Sequence, residues 1–338
     1  MLKFGQKHYV PILKTKEGER WAIFNLDAPT KLRLTPLMEI HEHKTLTAAQ
    51  QALAMCQALA HDWGTDRPLF LDTCWLHDEH GHSGILAAVF QSARIESLQA
   101  IPVARTSYGQ QALARIRDIA QQDGRGYLLR AQVSDLSNPA GINSVLSAIG
   151  LQRQHVHFML DYRNHPMNLL VDVPRIPSIS SWLTLTTASS ACPRSLTSFQ
   201  QHIWHPIPRN DWTSWEQAVT QLTLPRRPTF SDYTIRDYGR SPSGGRASVT
   251  LRYTTTNNWL IRVGPKVAGG GSVNMHVVCQ SLIQRTEYSG QNFSAGDGAI
   301  HATAQPNSGP GNTGQWISWG ASHHMVFVAR QIQNHAGL

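Results

Sequence analysis

The stretch that decides the fold runs from residue 101 to residue 135 and reads IPVARTSYGQQALARIRDIAQQDGRGYLLRAQVSD. Two apolar runs, 101–107 and 126–135, flank a segment with helical spacing that stops at Gly124. Both runs are almost continuously apolar, which is typical of strands that are covered on both faces in a parallel sheet. The stretch therefore predicts a strand, a helix and a second strand of the same sheet.

The same alternation of strand-like and helix-like segments extends through most of the chain. The clearest helical pattern begins at Thr47, a good N-cap, and stops before Gly64. Eight such units over about 240 residues match an α/β fold of the TIM-like (β/α)₈ barrel type, whereas a doubly wound open sheet is the alternative. No GxGxxG follows the first strand, which favours the barrel. The other six strands are predicted at 8–14, 32–40, 68–76, 155–163, 181–187 and 229–237.

We assign residues 1–239 to the barrel and residues 240–338 to a smaller α+β appendage. The segment 194–228 is longer than a barrel connection needs and predicts a helical insertion of two short helices. Its three tryptophans, Trp204, Trp212 and Trp215, are expected to pack that insertion rather than to form a partner-binding surface.

The appendage starts after a Ser-, Pro- and Gly-rich linker, RSPSGGR, at 240–246. A β-hairpin follows, then a helix near 273–288, a Gly-, Asn- and Ser-rich loop over 289–314, and a final strand or helix over 319–332. This part could cover one end of the barrel.

The composition indicates a folded protein and does not define a partner. The formal net charge of +8 permits an acidic partner such as a nucleic acid or nucleotide, but the cations are spread along the chain. No apolar run is long enough to span a bilayer, and no secretory signal is visible, so we expect a cytoplasmic protein without membrane contact. The four cysteines have no metal or disulfide spacing and are expected to be reduced core thiols: Cys56, Cys74, Cys192 and Cys279.

Charged residues fall at the carboxyl ends of the predicted strands, where the site of a (β/α)₈ barrel lies. We expect these side chains to form a charged pocket for a phosphorylated or nucleotide ligand, with a carboxylate as base. The alternative is a structural ring in which they pair with each other. The candidate catalytic residues are Glu39, Asp72, Asp161 and Lys14, and the candidate ligand-binding residues here are Arg105, Arg130 and Arg163.

Histidine clusters raise the question of a metal, since HEH at 41–43 and HDEHGH at 77–82 would lie at the same end of the barrel. Neither has the spacing of a zinc site, so we predict solvent-exposed loops and no metal. No GxSxG, P-loop or HExxH motif occurs, and no cofactor is indicated.

The hairpin LRYTTTNNWLIRVGPK at 251–266 carries three candidate ligand-binding cations, Arg252, Arg262 and Lys266. A two-residue turn at 257–258 puts the two arginines on opposite faces, whereas a three-residue loop at 256–258 puts them on one face. A shared face would need a phosphate or an acid such as Asp297 between the guanidiniums.

Two further features accompany the hairpin. The glycine run 269–271 could add backbone donors for an anion, although the hairpin cations could equally protect an exposed sheet edge. His323 and His324 are candidate binding residues with acid–base capacity, but in a strand one of the two must face away.

Five segments together resemble the Beta protein family, in order and over nearly the whole chain: YVPILKTKEGE, LTPLMEI, RYTTTNNWLIRVG, FSAGDGAI and SWGASHHMVFVARQI. The resemblance implies a gene of phages or mobile elements, sometimes beside bacterial defence genes, and it implies no catalytic set. The positions that match the motifs are Arg252, Tyr253, Trp259, Arg262, Asp297, Trp316, His323 and His324.

Three hypotheses of function remain open from the sequence. The first is a binding or effector protein in phage–host conflict (anti-phage defence) that recognises nucleic acid or a protein complex. The second is an enzyme acting on a phosphorylated or nucleotide substrate at the barrel mouth. The third is a structural component that contacts a protein partner through the tryptophan-bearing insertion.

Overall fold

A computed structural model describes residues 1–41, 46–76, 82–220, 223–239, 248–266 and 274–337. Eight parallel strands close into a barrel, with each strand hydrogen-bonded to the next and the last to the first. This confirms the α/β barrel predicted from the sequence. The barrel strands are β1 (Tyr9–Lys14), β2 (Leu37–Glu39), β3 (Pro68–Asp72), β4 (Gln99–Arg105), β5 (Tyr127–Gln132), β6 (Val156–Asp161), β7 (Thr184–Ser189) and, after an inserted strand β8, β9 (Thr229–Asp232).

Helices connect the barrel strands and cover them from outside. The third helix begins with the expected cap, since Thr47 and Gln50 exchange the two hydrogen bonds of a capping box. The fifth helix ends at Gly124, whose positive φ of 66° suits glycine. The helices up to β7 are α1 (Glu17–Phe24), α2 (Ala28–Lys31), α3 (Ala48–Asp62), α4 (His82–Ile95), α5 (Gln110–Asp123), α6 (Ala140–Ile149) and α7 (Leu169–Asp172).

The barrel interior is filled by alternate residues of the strands, as the two-residue period of a strand requires. One end is closed by the N-terminal segment, where Phe4 stacks on His157 with ring centroids 5.9 Å apart. The middle is apolar, and two residues further along several strands the inward side chains become charged. The apolar filling comprises Val10, Ile12, Leu37, Phe70, Ile101, Val103, Leu128 and Met159.

In its described residues, 194–220 and 223–228, the insertion contains one strand, β8 (Trp204–Pro208), and one α-helix, α8 (Asn210–Thr220), so the expectation of two helices was wrong. Strand β8 lies at the edge of a second sheet. Proline is tolerated there because the N–H groups on the outer side of an edge strand have no neighbouring strand to bond to. Trp212 and Trp215 are fully buried against Phe230 of the barrel, which confirms that these tryptophans serve packing.

The second sheet has three antiparallel strands in the order β10–β11–β8, with β10 (Ser248–Thr254) and β11 (Asn258–Lys266) forming the expected hairpin. Its neighbours are α9 (Asn274–Ile283), α10 (Ala295–Thr303) and α11 (Thr313–Asn334). The expectation of a continuous loop over 289–314 was wrong, because Ser294 caps α10 within it. The sequence left open whether residues 319–332 form a strand or a helix, and in the structure they are part of helix α11.

Within the described ranges, no helix combines the length and apolar character needed to cross a membrane. All four cysteines are free thiols, and Cys56, Cys192 and Cys279 are buried as expected. Cys74 is half-buried instead, because it follows β3 at the open end of the barrel.

Candidate functional site

The charged side chains at the barrel's carboxyl end meet around one guanidinium. Arg130 Nη1 donates to Glu39 Oε1 at 2.9 Å and to Asp72 Oδ2 at 2.7 Å. Arg130 Nη2 lies 2.8 Å from Asp161 Oδ2. The four side chains are at most 2% exposed. They converge because each one is the inward residue that follows the apolar filling of its strand.

A second layer of donors surrounds the three carboxylates. Arg105 Nη2 donates to Asp72 Oδ2 at 2.6 Å, and the Tyr233 hydroxyl donates to Asp161 Oδ2 at 2.7 Å. The indole N–H of Trp75 donates to Glu39 Oε2 at 2.9 Å. The pairing expected as the structural alternative is therefore present.

Burial and ion pairing shift the pKa values of the groups in this cluster in opposite directions. Burial would raise the pKa of Asp72, but Arg105 and Arg130 outweigh it and lower that pKa to about 2. Burial lowers the pKa of Lys14, an effect that Glu39 opposes. The Lys14 ammonium donates to the carbonyl of Gly239, beside the cluster.

A cavity of about 340 Å³ opens above the cluster, at the mouth of the barrel. Arg163 lines it and makes no ion pair with any described residue; its guanidinium lies 5.7 Å from the ring centre of Tyr238. The buried Nε of Arg105 has no hydrogen-bond partner among the described residues. The cavity is therefore lined by guanidinium groups with unused donors. Its other lining residues include Glu39, Cys74, Trp75, Tyr108, Arg130, Arg194 and Tyr233.

One group of side chains in this region has ligand atoms close enough for a metal, since atoms of Glu39, Asp72 and Cys74 lie within 4.8 Å of one another. The guanidinium groups of Arg130 and Arg105 already supply positive charge to the two carboxylates. Burial and the nearby Asp72 raise the pKa of the Cys74 thiol well above its usual range, which disfavours the thiolate that a metal would need.

The histidine clusters considered for a metal fall mostly outside the described residues. This applies to 42–45, which includes His43, and to 77–81, which includes His77 and His80, as well as to the side chain of His82. The glycine run 269–271 and the Lys266 side chain also lie outside the described part.

The comparison with known families gives one result: the model of the Beta protein family matches residues 9–330. The chain belongs to the Beta protein family. No curated protein matches it. In this member, the eight motif positions lie on the second sheet and its helices, and none lines the mouth cavity. Two of them contact the barrel: Arg252 donates to the carbonyl of Ile235, and His324 lies beside Asp232. We call these two contacts the joint.

Both motif histidines of this Beta protein lie on helix α11. His323 Nδ1 is 2.9 Å from Asp297 Oδ2, and the hydroxyl of Tyr253 donates to Asp297 Oδ1 at 2.8 Å. His324 Nε2 is 2.8 Å from Asp232 Oδ2, at the end of barrel strand β9. The expectation that one histidine faces away was wrong, because it assumed a strand; on the helix both are fully buried. Neither lines the mouth cavity.

The hairpin has a register that differs from both alternatives considered. Arg252 pairs with Ile261, which places a two-residue turn at 256–257, one position earlier than expected. Arg252 and Arg262 consequently lie on opposite faces, and the idea of a shared face was wrong. Arg252 Nη1 donates to the carbonyl of Ile235 at 2.9 Å, while Arg262 Nη1 donates to the hydroxyl of Ser281.

The mouth cavity also contains residues that the sequence reasoning missed. Trp75, Arg194, Tyr233 and Tyr238 all line it. Tyr233 directly follows the last barrel strand, so the position rule that found Glu39 and Asp72 could have found it if aromatic residues had been included. Tyr238 lies five residues further along. Arg194 comes from the insertion, and no sequence signal places it at the mouth.

Proposed function

We propose that this Beta protein family member binds a small phosphorylated ligand, of the nucleotide class, in the cavity at the mouth of the barrel. The observation that carries the proposal is Arg163, which lines the cavity without an ion pair to any described residue. A guanidinium with free donors matches a phosphate in charge and geometry. The cavity volume of about 340 Å³ suits a small molecule.

The aromatic lining supports a ligand with a planar or sugar ring. Tyr238 lies against Arg163, while Trp75 and Tyr108 line other parts of the cavity. Aromatic faces stack on nucleobases and pack on sugar rings, so they add apolar contact to the charge of the arginines. Together these groups favour a phosphorylated ligand with a ring over a bare inorganic anion.

Binding is better supported than catalysis by the proposed carboxylates. Asp72 has a pKa lowered to about 2 and is a weak base at neutral pH. Asp161 accepts from Arg130 and from Tyr233. Of the three carboxylates, Glu39 lines the cavity. It therefore supports the second candidate function, an enzyme that acts on a phosphorylated or nucleotide substrate with Glu39 and Lys14 as its central residues.

We extend the proposal to a biological setting only through the family resemblance, as a binding or effector component in phage–host conflict. Recognition of a nucleic acid or a protein complex is supported by the net charge of +8. The hairpin does not favour recognition of a nucleic acid, because Arg252 and Arg262 lie on opposite faces and each makes a hydrogen bond within the protein. A nucleotide in the mouth cavity is therefore the preferred form of the proposal.

The test is calorimetric titration of the purified protein at low salt with phosphate, pyrophosphate, AMP and ATP. We expect Arg163→Gln to weaken binding at least about tenfold, since a charged hydrogen bond contributes roughly 1.5–3 kcal/mol. Arg117→Gln is the matched control, because Arg117 is a half-buried arginine of α5 outside the cavity. Absence of binding, or equal binding by the Arg163 variant, would contradict the proposal.

The wider alternatives are separated by adding labelled DNA and RNA across a salt series. Nucleic-acid retention that depends on salt but not on Arg163 would favour a surface polyanion site over the cavity. Turnover of a nucleotide that is lost in Glu39→Gln would favour the enzyme.

A further inference from the structure

A second cavity, of about 510 Å³, lies beside the mouth of the barrel. It is formed by the segments that follow β6 and β7 and by the start of α8 in the insertion. Its lining is rich in hydroxyl, amide and carboxyl groups, including Asn164, Ser189, Ser190, Asp211, Ser214 and Asp237. Groups of this kind recognise hydroxyl-bearing ligands through hydrogen bonds.

Asp211 is a buried carboxyl group in the wall of this cavity. Its Oδ1 accepts from the backbone N–H of Trp212 at 2.8 Å, and the backbone N–H of Ala191 is close enough to lower the pKa of the carboxyl group. No described donor makes a hydrogen bond of good geometry to the buried Oδ2. The residue is 2% exposed. An unsatisfied buried acceptor is destabilising, so a hydrogen-bond donor supplied by a ligand would be favourable there.

The second cavity neighbours the first, and two elements contribute lining residues to both. Arg194 lines both cavities. The segment after β6 also contributes to both, because Arg163 lines the mouth cavity while Asn164 and His165 line the second one. A single ligand whose phosphate contacts Arg163 can therefore extend past Arg194 towards Asp211.

We propose that the second cavity holds the sugar of the same ligand, with Asp211 Oδ2 accepting a hydrogen bond from a sugar hydroxyl. The inference rests on the proposed function for the position of the phosphate, and it narrows the ligand to a phosphorylated sugar, free or within a nucleotide. The mouth cavity supplies the charge, and the second cavity supplies selection for hydroxyl groups.

The experiment titrates the full chain at pH 8, above the raised pKa of Asp211, with inorganic phosphate, ribose 5-phosphate, AMP and ribose. In the wild type, we expect ribose 5-phosphate to bind at least about tenfold more tightly than phosphate. Asp211→Asn replaces the free acceptor with an amide donor of the same size, so it should remove about tenfold of the ribose 5-phosphate affinity and leave phosphate binding unchanged. Arg163→Gln should weaken both ligands.

A second variant protects the test against misfolding of the first. Ser214→Leu fills the cavity from a half-buried position on α8 and should also remove the advantage of ribose 5-phosphate over phosphate. Circular dichroism and thermal unfolding establish that each variant is folded. AMP binding as tightly as ribose 5-phosphate, with the same Asp211 dependence, would identify the nucleotide as an equal source of the sugar.

The outcomes separate the two proposals. If phosphate binds through Arg163 but ribose 5-phosphate binds no better, or if both cavity variants leave its affinity unchanged, the sugar site is overturned and the phosphate site stands. If phosphate does not bind while ribose binds in an Asp211-dependent way, the phosphate site is overturned and the sugar site stands. If none of the four ligands binds, both are overturned.

Discussion

Arg130 holds three carboxylates together in a part of the barrel that water hardly reaches. Glu39, Asp72 and Asp161 each lie within 3 Å of its guanidinium nitrogens, and none of them is more than 2% exposed. A buried charge is tolerated when it is paired, and removal of one partner leaves the others unpaired in a medium that solvates them poorly. The stability of the site therefore depends on Arg130 more than on any single carboxylate.

Replacement of this guanidinium tests that dependence. We expect Arg130→Met to lower the free energy of unfolding by about 3–5 kcal/mol, the range typical of a broken buried ion pair. Urea unfolding at pH 7 measures the loss. Arg163→Met is the control, since Arg163 has no ion pair with a described residue and its loss should change stability by about 0.5 kcal/mol at most. Equal stability of the two variants would show that the cluster is not held by Arg130.

Asp211 gives the protein a pH dependence with the opposite sign to that of an ion-paired carboxylate. Burial and the nearby Asp232 raise its pKa to about 7, with Arg209 opposing, against an ordinary value of 3.8. A raised pKa means that the folded state holds the proton more tightly than the unfolded state does. The contribution to stability is full below about pH 4 and is lost as the pH rises to about 7.

Asp211→Asn should remove this loss. We expect the stability of the variant relative to the wild type to increase between pH 4 and pH 8, by on the order of 2–4 kcal/mol, because each pKa unit corresponds to about 1.4 kcal/mol. Guanidinium unfolding of both proteins at several pH values measures the difference. Parallel stability curves would show that Asp211 is not the group responsible.

The sequence predicted the charged residues of the mouth because their positions follow from strand periodicity alone. Glu39, Asp72 and Arg130 each lie two residues beyond an inward apolar residue, and such spacing is local. That Arg163 makes no ion pair with a described residue depends instead on the distances between loops that are far apart in the sequence. It could not be inferred from any segment by itself.

At the scale of the elements, α11 and β10 approach each other closely at a glycine. A Cβ built on Gly320 would lie 2.7 Å from the carbonyl oxygen of Arg252 and 2.8 Å from Cδ1 of Ile235. This close contact lets the helix that carries His323 and His324 lie against the hairpin. The glycine is therefore needed for packing, although glycine weakens a helix in general.

Alanine substitution at two helical glycines should have opposite effects. We expect Gly320→Ala to destabilise the protein by more than about 1 kcal/mol, because the clash with a backbone carbonyl outweighs the gain in helix propensity. Gly84→Ala in α4, where no atom of the described residues lies within 4 Å of the new Cβ, should stabilise it by about 0.5–1 kcal/mol. Thermal and urea unfolding compare the two. A stabilising Gly320→Ala would contradict the close approach of helix and hairpin.

The hairpin turn shows why its register escaped prediction. Arg209, fully buried, donates to the carbonyls of Thr255 and Thr256 and to the side chain of Gln331 on α11. Its guanidinium also lies over the rings of Trp212 and Trp259. The turn is therefore held by groups far away in the sequence, and the local Asn257–Asn258 signal pointed to a turn one residue too late.

At the scale of the whole molecule, several contacts between described residues join the barrel to the second sheet. Strand β8, inserted between two barrel strands, pairs with β11. Helix α11 packs against α1 and supplies His324 to Asp232, at the end of β9. Of the family motif positions, Arg252 and His324 take part in such contacts, through Ile235 and Asp232. Two other motif segments form barrel strands β1 and β2, which end in Lys14 and Glu39 at the mouth, where the ligand site is proposed.

These connections predict that the barrel and the second sheet unfold as one cooperative unit. Native-state hydrogen exchange in low denaturant can measure this for central amides of β11, such as those of Leu260 and Ile261, and of β5, such as those of Leu128 and Leu129. We expect both groups to exchange through the same global opening and with equal free energies, because β11 is bonded on one side to a strand inserted into the barrel chain. His324→Asn, which disturbs the contact with Asp232, should then lower both values by the same amount. A lower value for β11 alone, in the wild type or only in the variant, would mean that the second sheet opens independently, and the joint would then be a hinge between two separately stable units.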